Sequence, residues 1–245
     1  MSGHSKWSTI KRKKEKTDGA RAKIFTKVGR EIMVAIKEGT NADPNSNFRL
    51  KEVIAKAKAN NVPNDNIERL IKKASGDSGT KNFENAIYEG YGPCGVAVIV
   101  EALTDNRNRT AGEIRHYFDK FAGNLGAQGC VSFMFNTKGL IVIEAEGLNE
   151  EKVMEDALEC GASDFEIDED IFQIYTETAD LASVRDQLIE KKYTFISADI
   201  EQIPSTYTKI ENEELCVKMA RLLEMLEEND DVQNVYHNWE NVVEL

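Results

Sequence analysis

From residue 20 to residue 74 the apolar positions recur at helical spacing. Ile24, Val28, Ile32 and Ile36, with Phe25 and Ala35, share one face of a first helix, and Lys23, Lys27, Arg30 and Lys37 lie opposite. Gly39 ends that run. A second helix follows Asp43-Pro44, carries Leu50, Val53, Ile54 and Ala57 as its stripe, and breaks at Val62-Pro63-Asn64. The third starts with Asn64 as N-cap and Asp65 in the first turn, and turns Ile67, Leu70, Ile71 and Ala74 inward. Its outward positions are Arg69, Lys72 and Lys73. Three short helices with one apolar stripe each predict a small bundle with a basic exterior.

Past the Ser75-Gly76-Asp77-Ser78-Gly79-Thr80 linker the period changes. Alternating or β-branched runs predict strands at 84–90, 96–104, 130–136, 140–145, 164–168, 171–176, 195–203 and 232–238. Helical patterns separate them at 110–121, 150–159, 180–191 and 212–228. Residues 139–203 thus read strand, helix, strand, strand, helix, strand, a complete ferredoxin-like unit. The flanks, strand–helix–strand at 96–136 and helix–strand at 212–238 with a short strand near 206–210, complete a second unit. The expected fold is α+β and multi-domain: an N-terminal three-helix bundle, then two ferredoxin-like α+β domains, the second inserted into the first. The boundaries expected are 1–79, 80–137 with 204–245, and 138–203.

Charge sharpens this picture. The chain has 245 residues and a net charge of -12. Residues 1–80 hold 18 Lys and Arg against 9 Asp and Glu, and the rest hold 13 against 34, so a basic head sits on an acidic body. Residues 1–16, MSGHSKWSTIKRKKEK, lack amphipathic periodicity and read as a basic arm. Lysine and arginine neutralise phosphates and release counterions, and an indole stacks on an unpaired base. The candidate nucleic-acid contacts are therefore Lys6, Trp7, Lys11, Arg12, Lys13, Lys14, Lys16, Lys23, Lys27 and Arg30. A solvated tail is the plainer alternative, and the same sign on the following helices favours binding. Arg107 and Arg109, in the polar loop Thr104–Thr110, form a second candidate patch. Thr110 and Glu113 have the spacing of a capping box. The two arginines either grip phosphate beside the helix N–H groups or pair with nearby carboxylates.

Other chemistry finds little support. The longest apolar run, Val96–Val100, is far too short to cross a bilayer, and no apolar signal core follows Met1, so a cytoplasmic protein is expected. Cys94, Cys130, Cys160 and Cys216 and the three histidines are too scattered for a metal or redox motif, and read as four buried free thiols and no metal. Gly90-Tyr91-Gly92-Pro93-Cys94-Gly95 matches a dinucleotide fingerprint by letter, but a strand follows where a helix is required, so it reads as a turn and no cofactor is expected. Asp164, Glu166, Asp168, Glu169 and Asp170 resemble the start of a calcium loop, but Glu169 replaces its glycine; a solvated strand edge fits better. Glu224, Glu227, Glu228, Asp230 and Asp231 read as the exposed side of the last helix and its exit turn. No catalytic constellation stands out, and the chain reads as a non-enzyme.

The opening MSGHSKW with its KRKK run, Phe25-Thr26-Lys27, Arg30-Glu31-Ile32, Ile67-Glu68-Arg69, YEGYGP at 88–93, LTDNRNRT at 103–110 and DDVQNVYHN at 230–238 resemble the YebC family, related to mitochondrial translational activators of cytochrome oxidase. The resemblance spans the chain. It departs at Ala122-Gly123, where the family usually has two glycines, and at Cys130, where it usually has serine. Met1 leading directly into the motif resembles the bacterial form without a targeting presequence. The resemblance implies three domains and a non-enzymatic role in gene expression, either as a DNA-binding transcriptional regulator or as a translation factor on ribosomes at proline-rich stretches. Expected partners are nucleic acid (DNA or ribosomal RNA) and the ribosome, with no membrane, for a monomer. The rival of another class is a protein-interaction or ligand-sensing module.

Overall fold

The structure, a computed structural model, describes residues 18–39, 41–59, 62–76, 82–168 and 170–243. Helices α1 (Asp18–Gly39), α2 (Phe48–Ala59) and α3 (Asn64–Gly76) enclose a core of Val28, Ile32, Ala35, Leu50, Val53, Ala57, Val62 and Ile67. Asn47 closes the α1–α2 connection. Its side-chain oxygen accepts from the Leu50 N–H at 3.0 Å, and its amide donates to the carbonyls of Ala35 and Asn41 at 2.8 and 2.9 Å. A Cβ at Gly39 would overlap that amide, which gives this glycine a packing reason beyond ending a helix.

Strands β1 (Glu84–Tyr91) and β2 (Ala97–Thr104) form an antiparallel hairpin whose turn, residues 92–96, takes up the latter part of the glycine-rich segment. Cys94 sits in that turn at φ 56° and is exposed, and Cys130 is half-buried; Cys160 and Cys216 are buried as expected. After α4 (Arg107–Lys120) comes the two-residue β3 (Asn124–Leu125). The chain then enters β4 (Phe135–Glu144), α5 (Glu150–Glu159), β5 (Asp164–Asp168), β6 (Ile171–Thr176), α6 (Leu181–Glu190) and β7 (Ser197–Pro204). It ends with α7 (Glu213–Glu228) and β8 (Val232–His237).

The two sheets have orders β3-β1-β2-β8 and β5-β6-β4-β7, both antiparallel. The second is the ferredoxin-like arrangement, with Ile141, Ile143, Phe172 and Ile174 packed against Val153, Ala157, Val184 and Leu188 of its two helices. The first has a different strand order, with the consecutive pair β1 and β2 at its centre and β3 and β8 at its edges. Val96, Val98 and Val100 pack on Ile114, Phe118, Leu222 and Leu223 of α4 and α7, and the chain leaves for the other sheet between β3 and α7.

Residues 130–136 do not form the expected separate strand. A single 3-10 turn, Ser132–Met134, leads into one long β4, and β1 takes the place in the sheet that this strand was to fill. The cause is Glu89, 3% exposed, whose carboxylate accepts from the N–H groups of Gly129, Val131 and Ser132 at 2.8, 2.9 and 2.9 Å. Backbone donors held by a side chain cannot enter a strand ladder. The short strand expected near 206–210 is reduced to one bridge, Thr208 with Trp239.

At the end of α4, Ala122 adopts φ 60°, and the Gly123 N–H reaches the Phe118 carbonyl at 2.8 Å. This helix ending normally uses glycine at the left-handed position. Ala122→Gly is therefore expected to stabilise the protein by about 1 kcal/mol, read as a higher urea midpoint at unchanged slope.

Candidate nucleic-acid interface

Lys23, Lys27 and Arg30 fall at i, i+4 and i+7 on α1, so they form one row. That row meets the C-terminal end of α7 and the turn into β8. Lys23 Nζ lies 3.1 Å from Glu228 Oε1, and Lys27 Nζ donates to the Glu227 carbonyl at 3.1 Å. Arg30 donates to Asp231 Oδ1 at 2.6 Å and to the Asp230 carbonyl at 2.5 Å, and stands over the Phe83 ring at 5.3 Å. A helix C-terminus carries partial negative charge, so cations on a neighbouring helix are favoured there.

Asp231 is the centre of this junction. It is 3% exposed, not the solvated turn residue expected. Its second oxygen accepts from Arg109 at 2.6 Å and from the Thr110 and Thr104 hydroxyls at 2.6 and 3.1 Å, and its carbonyl accepts from the Leu103 N–H at 2.7 Å. Burial pushes the Asp231 carboxyl up, but the hydrogen bonds from Thr110, Arg109 and Arg30 outweigh it and hold the group below its ordinary value. The expected Thr110–Glu113 capping box is absent. Asn106 caps α4 by accepting from the Arg109 N–H at 3.1 Å, Thr110 turns inward to Asp231, and Glu113 accepts from the Asn229 amide at 2.7 Å.

Four of the candidate phosphate contacts have partners within the protein. Lys23, Lys27, Arg30 and Arg109 are engaged by the protein's own carboxylates and carbonyls where the bundle meets the body. Arg109 also holds Asp105 at 2.9 Å. Arg107 is exposed and 3.7 Å from Glu84, a surface pair of little energy, and stays accessible. Lys6, Trp7, Lys11, Arg12, Lys13, Lys14 and Lys16 lie outside the described residues. Exposed positive charge on the bundle is found on α2 and α3, and at Lys37 of α1, which donates to Asn82. Lys51, Lys58, Lys72 and Lys73 are exposed and make no ion pair among the described residues. Arg69 stands over the Phe25 ring at 5.7 Å. Lys56 is different, paired with Glu31 at 3.0 Å.

The acidic residues 164–168 alternate along the edge strand β5. Asp168 is 6% exposed and accepts from the Gln173 amide at 3.3 Å, so it is not part of a solvated edge. Among the described residues no group of His, Cys, Asp and Glu is arranged to hold a metal ion, and no helix is long and apolar enough to cross a membrane.

The TACO1/YebC protein N-terminal domain matches residues 5–77, and the TACO1/YebC second and third domain matches residues 83–239. The chain belongs to the TACO1/YebC family. A probable transcriptional regulatory protein of Finegoldia magna is 59% identical over 241 residues, 98% of this chain and 100% of that protein. One of the same name from Ruminiclostridium cellulolyticum is 58% identical over 241 residues, 98% of this chain and 97% of that protein. A crystal structure of a conserved hypothetical protein from Aquifex aeolicus superposes with a TM-score of 0.83 at 45% identity, covering 94% of each chain. The segments that carry the family resemblance have structural reasons. LTDNRNRT and DDVQNVYHN meet at Asp231, and YEGYGP contains Glu89. Sequence reasoning missed both carboxylates because their partners are remote in the chain.

Asp231→Ala is expected to cost about 3 kcal/mol at neutral pH, since it strands two cations in a partly buried junction. Because the folded-state pKa is depressed, this contribution is complete above about pH 4 to 5 and disappears as pH falls through the folded value. The deficit of the variant in urea unfolding should therefore narrow on acidification.

Proposed function

We propose that the protein is a non-enzymatic regulator of gene expression that binds nucleic acid through its basic N-terminal region. The observation that carries this reading is the division of charge. Residues 1–80 have an excess of nine positive charges and the remainder an excess of 21 negative ones. After the α1 row is taken up by docking, Lys51, Lys58, Arg69, Lys72 and Lys73 still face outward. The arm adds Lys6, Lys11, Arg12, Lys13, Lys14 and Lys16, with Trp7 to stack, and Arg107 supplements them from the body. The acidic body repels a polyanion and so confines contact to this end. The relatives' names, probable transcriptional regulatory protein, fit a role in gene expression.

RNA on the ribosome is the target favoured over promoter DNA. The exposed positions of α2 are Phe48, Arg49, Lys51, Glu52, Ala55 and Lys58; Arg49 is paired with Glu38, and no Asn or Gln that reads base edges in a major groove stands beside it. Contact by charge and shape suits structured RNA. The protein acts in the cytoplasm as a monomer.

Binding to ribosomes and to duplex DNA at matched salt tests this. The logarithm of the association constant should fall with the logarithm of salt at roughly 0.7 to 0.9 per phosphate contact, and deletion of residues 1–16 should flatten that slope and abolish most binding. Affinity indifferent to salt and to the deletion would refute the reading.

A further inference from the structure

Phe48 is 68% exposed, an unusual position for a phenyl ring two residues from the fully buried Leu50. Phe48, Lys51, Ala55 and Lys58 lie at i, i+3, i+7 and i+10 of α2, and all four are exposed. They form one outward stripe, opposite Leu50, Val53 and Ala57 in the core. Lys51 is one turn from the ring, and Lys58 lies about 10 Å further along the axis. Neither lysine makes an ion pair among the described residues. Other cations of this helix are engaged: Arg49 with Glu38, and Lys56 with Glu31. Glu52 is the sole carboxylate of α2.

A phenyl ring has no hydrogen-bonding handle, so what covers it offers an apolar face, and the flat face of a base is one that stacks on it. Lysines on the same stripe attract negative charge. An unpaired nucleotide supplies both, its base for the ring and its phosphates for the ammonium groups. A duplex buries its bases and supplies only the charge. Unpaired bases are what structured RNA displays in loops and bulges. We infer that the Phe48–Lys51–Lys58 stripe of α2 is a docking platform for an unpaired stretch of RNA, with Phe48 stacking on a base and the two lysines on the backbone. This rests on the nucleic-acid reading and gives it a second element besides the arm. Phe133 is 74% exposed but lies on the Ser132–Met134 turn and not on this helix, and serves as a control.

The test uses the full chain, with fluorescence anisotropy against a labelled oligouridylate and a blunt RNA duplex of equal length. Phe48→Ala should weaken oligouridylate binding about 5- to 100-fold and leave the duplex unaffected. Phe48→Trp should retain affinity and show indole quenching on titration. Replacing Lys51 and Lys58 together by Ala should lower the salt slope by about 1.4, two contacts at about 0.7 each. Phe133→Ala should bind as the parent does. Parent-like oligouridylate binding by Phe48→Ala overturns this assignment while leaving an arm-dependent reading intact. Equal losses on both probes overturn it as well. A parent protein that binds neither probe overturns both readings.

Discussion

The carboxylate of Asp231 gathers donors from three separate parts of the chain: Arg30 from α1, Thr104 at the end of β2, and Arg109 and Thr110 from α4. Removing such a group from water is costly, and the cost is offset only when every lone pair finds a donor. Here Oδ1 accepts from Arg30, and Oδ2 from Arg109, Thr110 and Thr104. The consequence is geometric as much as energetic, because the carboxylate fixes the position of the bundle against the sheet that carries β2 and β8. It also decides which face of the bundle meets the body, and hence which face is left for a partner. Lys23, Lys27 and Arg30 of α1 turn toward the body, and the exposed lysines of α2 and α3 turn out.

Glu89 plays the corresponding part inside the body. By holding three N–H groups of residues 129–132 it stops that segment from pairing as a strand and directs the chain into β4 and the second sheet. Burial pushes its carboxyl up, and the N–H groups of Val131, Gly129 and Ser132 more than reverse this, so the group sits below its ordinary value. Two buried carboxylates thus organise two joints: Asp231 the contact of the bundle with the body, and Glu89 the path from the first sheet into the second. An acidic composition conceals this, since most of the other carboxylates are on the surface.

What was legible in the sequence was what local periodicity encodes. The stripe Ile24, Val28, Ile32 and Ile36 and the strand–helix order of 139–203 follow from spacings of a few residues. So does the rejection of the Gly90–Gly95 fingerprint, because the character of the next element decides it. What was hidden depends on partners far apart in the chain. Asp231 looks like one more acid in an exit turn until Arg30, 201 residues away, is placed beside it. Thr110 and Glu113 have capping-box spacing, yet Asn106 caps better and Asp231 draws Thr110 inward. Total charge pointed to the basic head, but only packing distinguishes cations that dock the bundle from those that face solvent. Ala122 was visible as a departure from the family's glycine, and its φ of 60° supplies the reason glycine suits the position.

The division of the bundle's lysines into inward and outward sets is the central claim, and lysine acetylation footprinting with and without RNA, read by mass spectrometry, tests it most directly. RNA should protect Lys51, Lys58, Lys72 and Lys73 and leave the modification of Lys23 and Lys27 unchanged. Protection of Lys23 and Lys27, with the lysines of α2 and α3 unaffected, would contradict it.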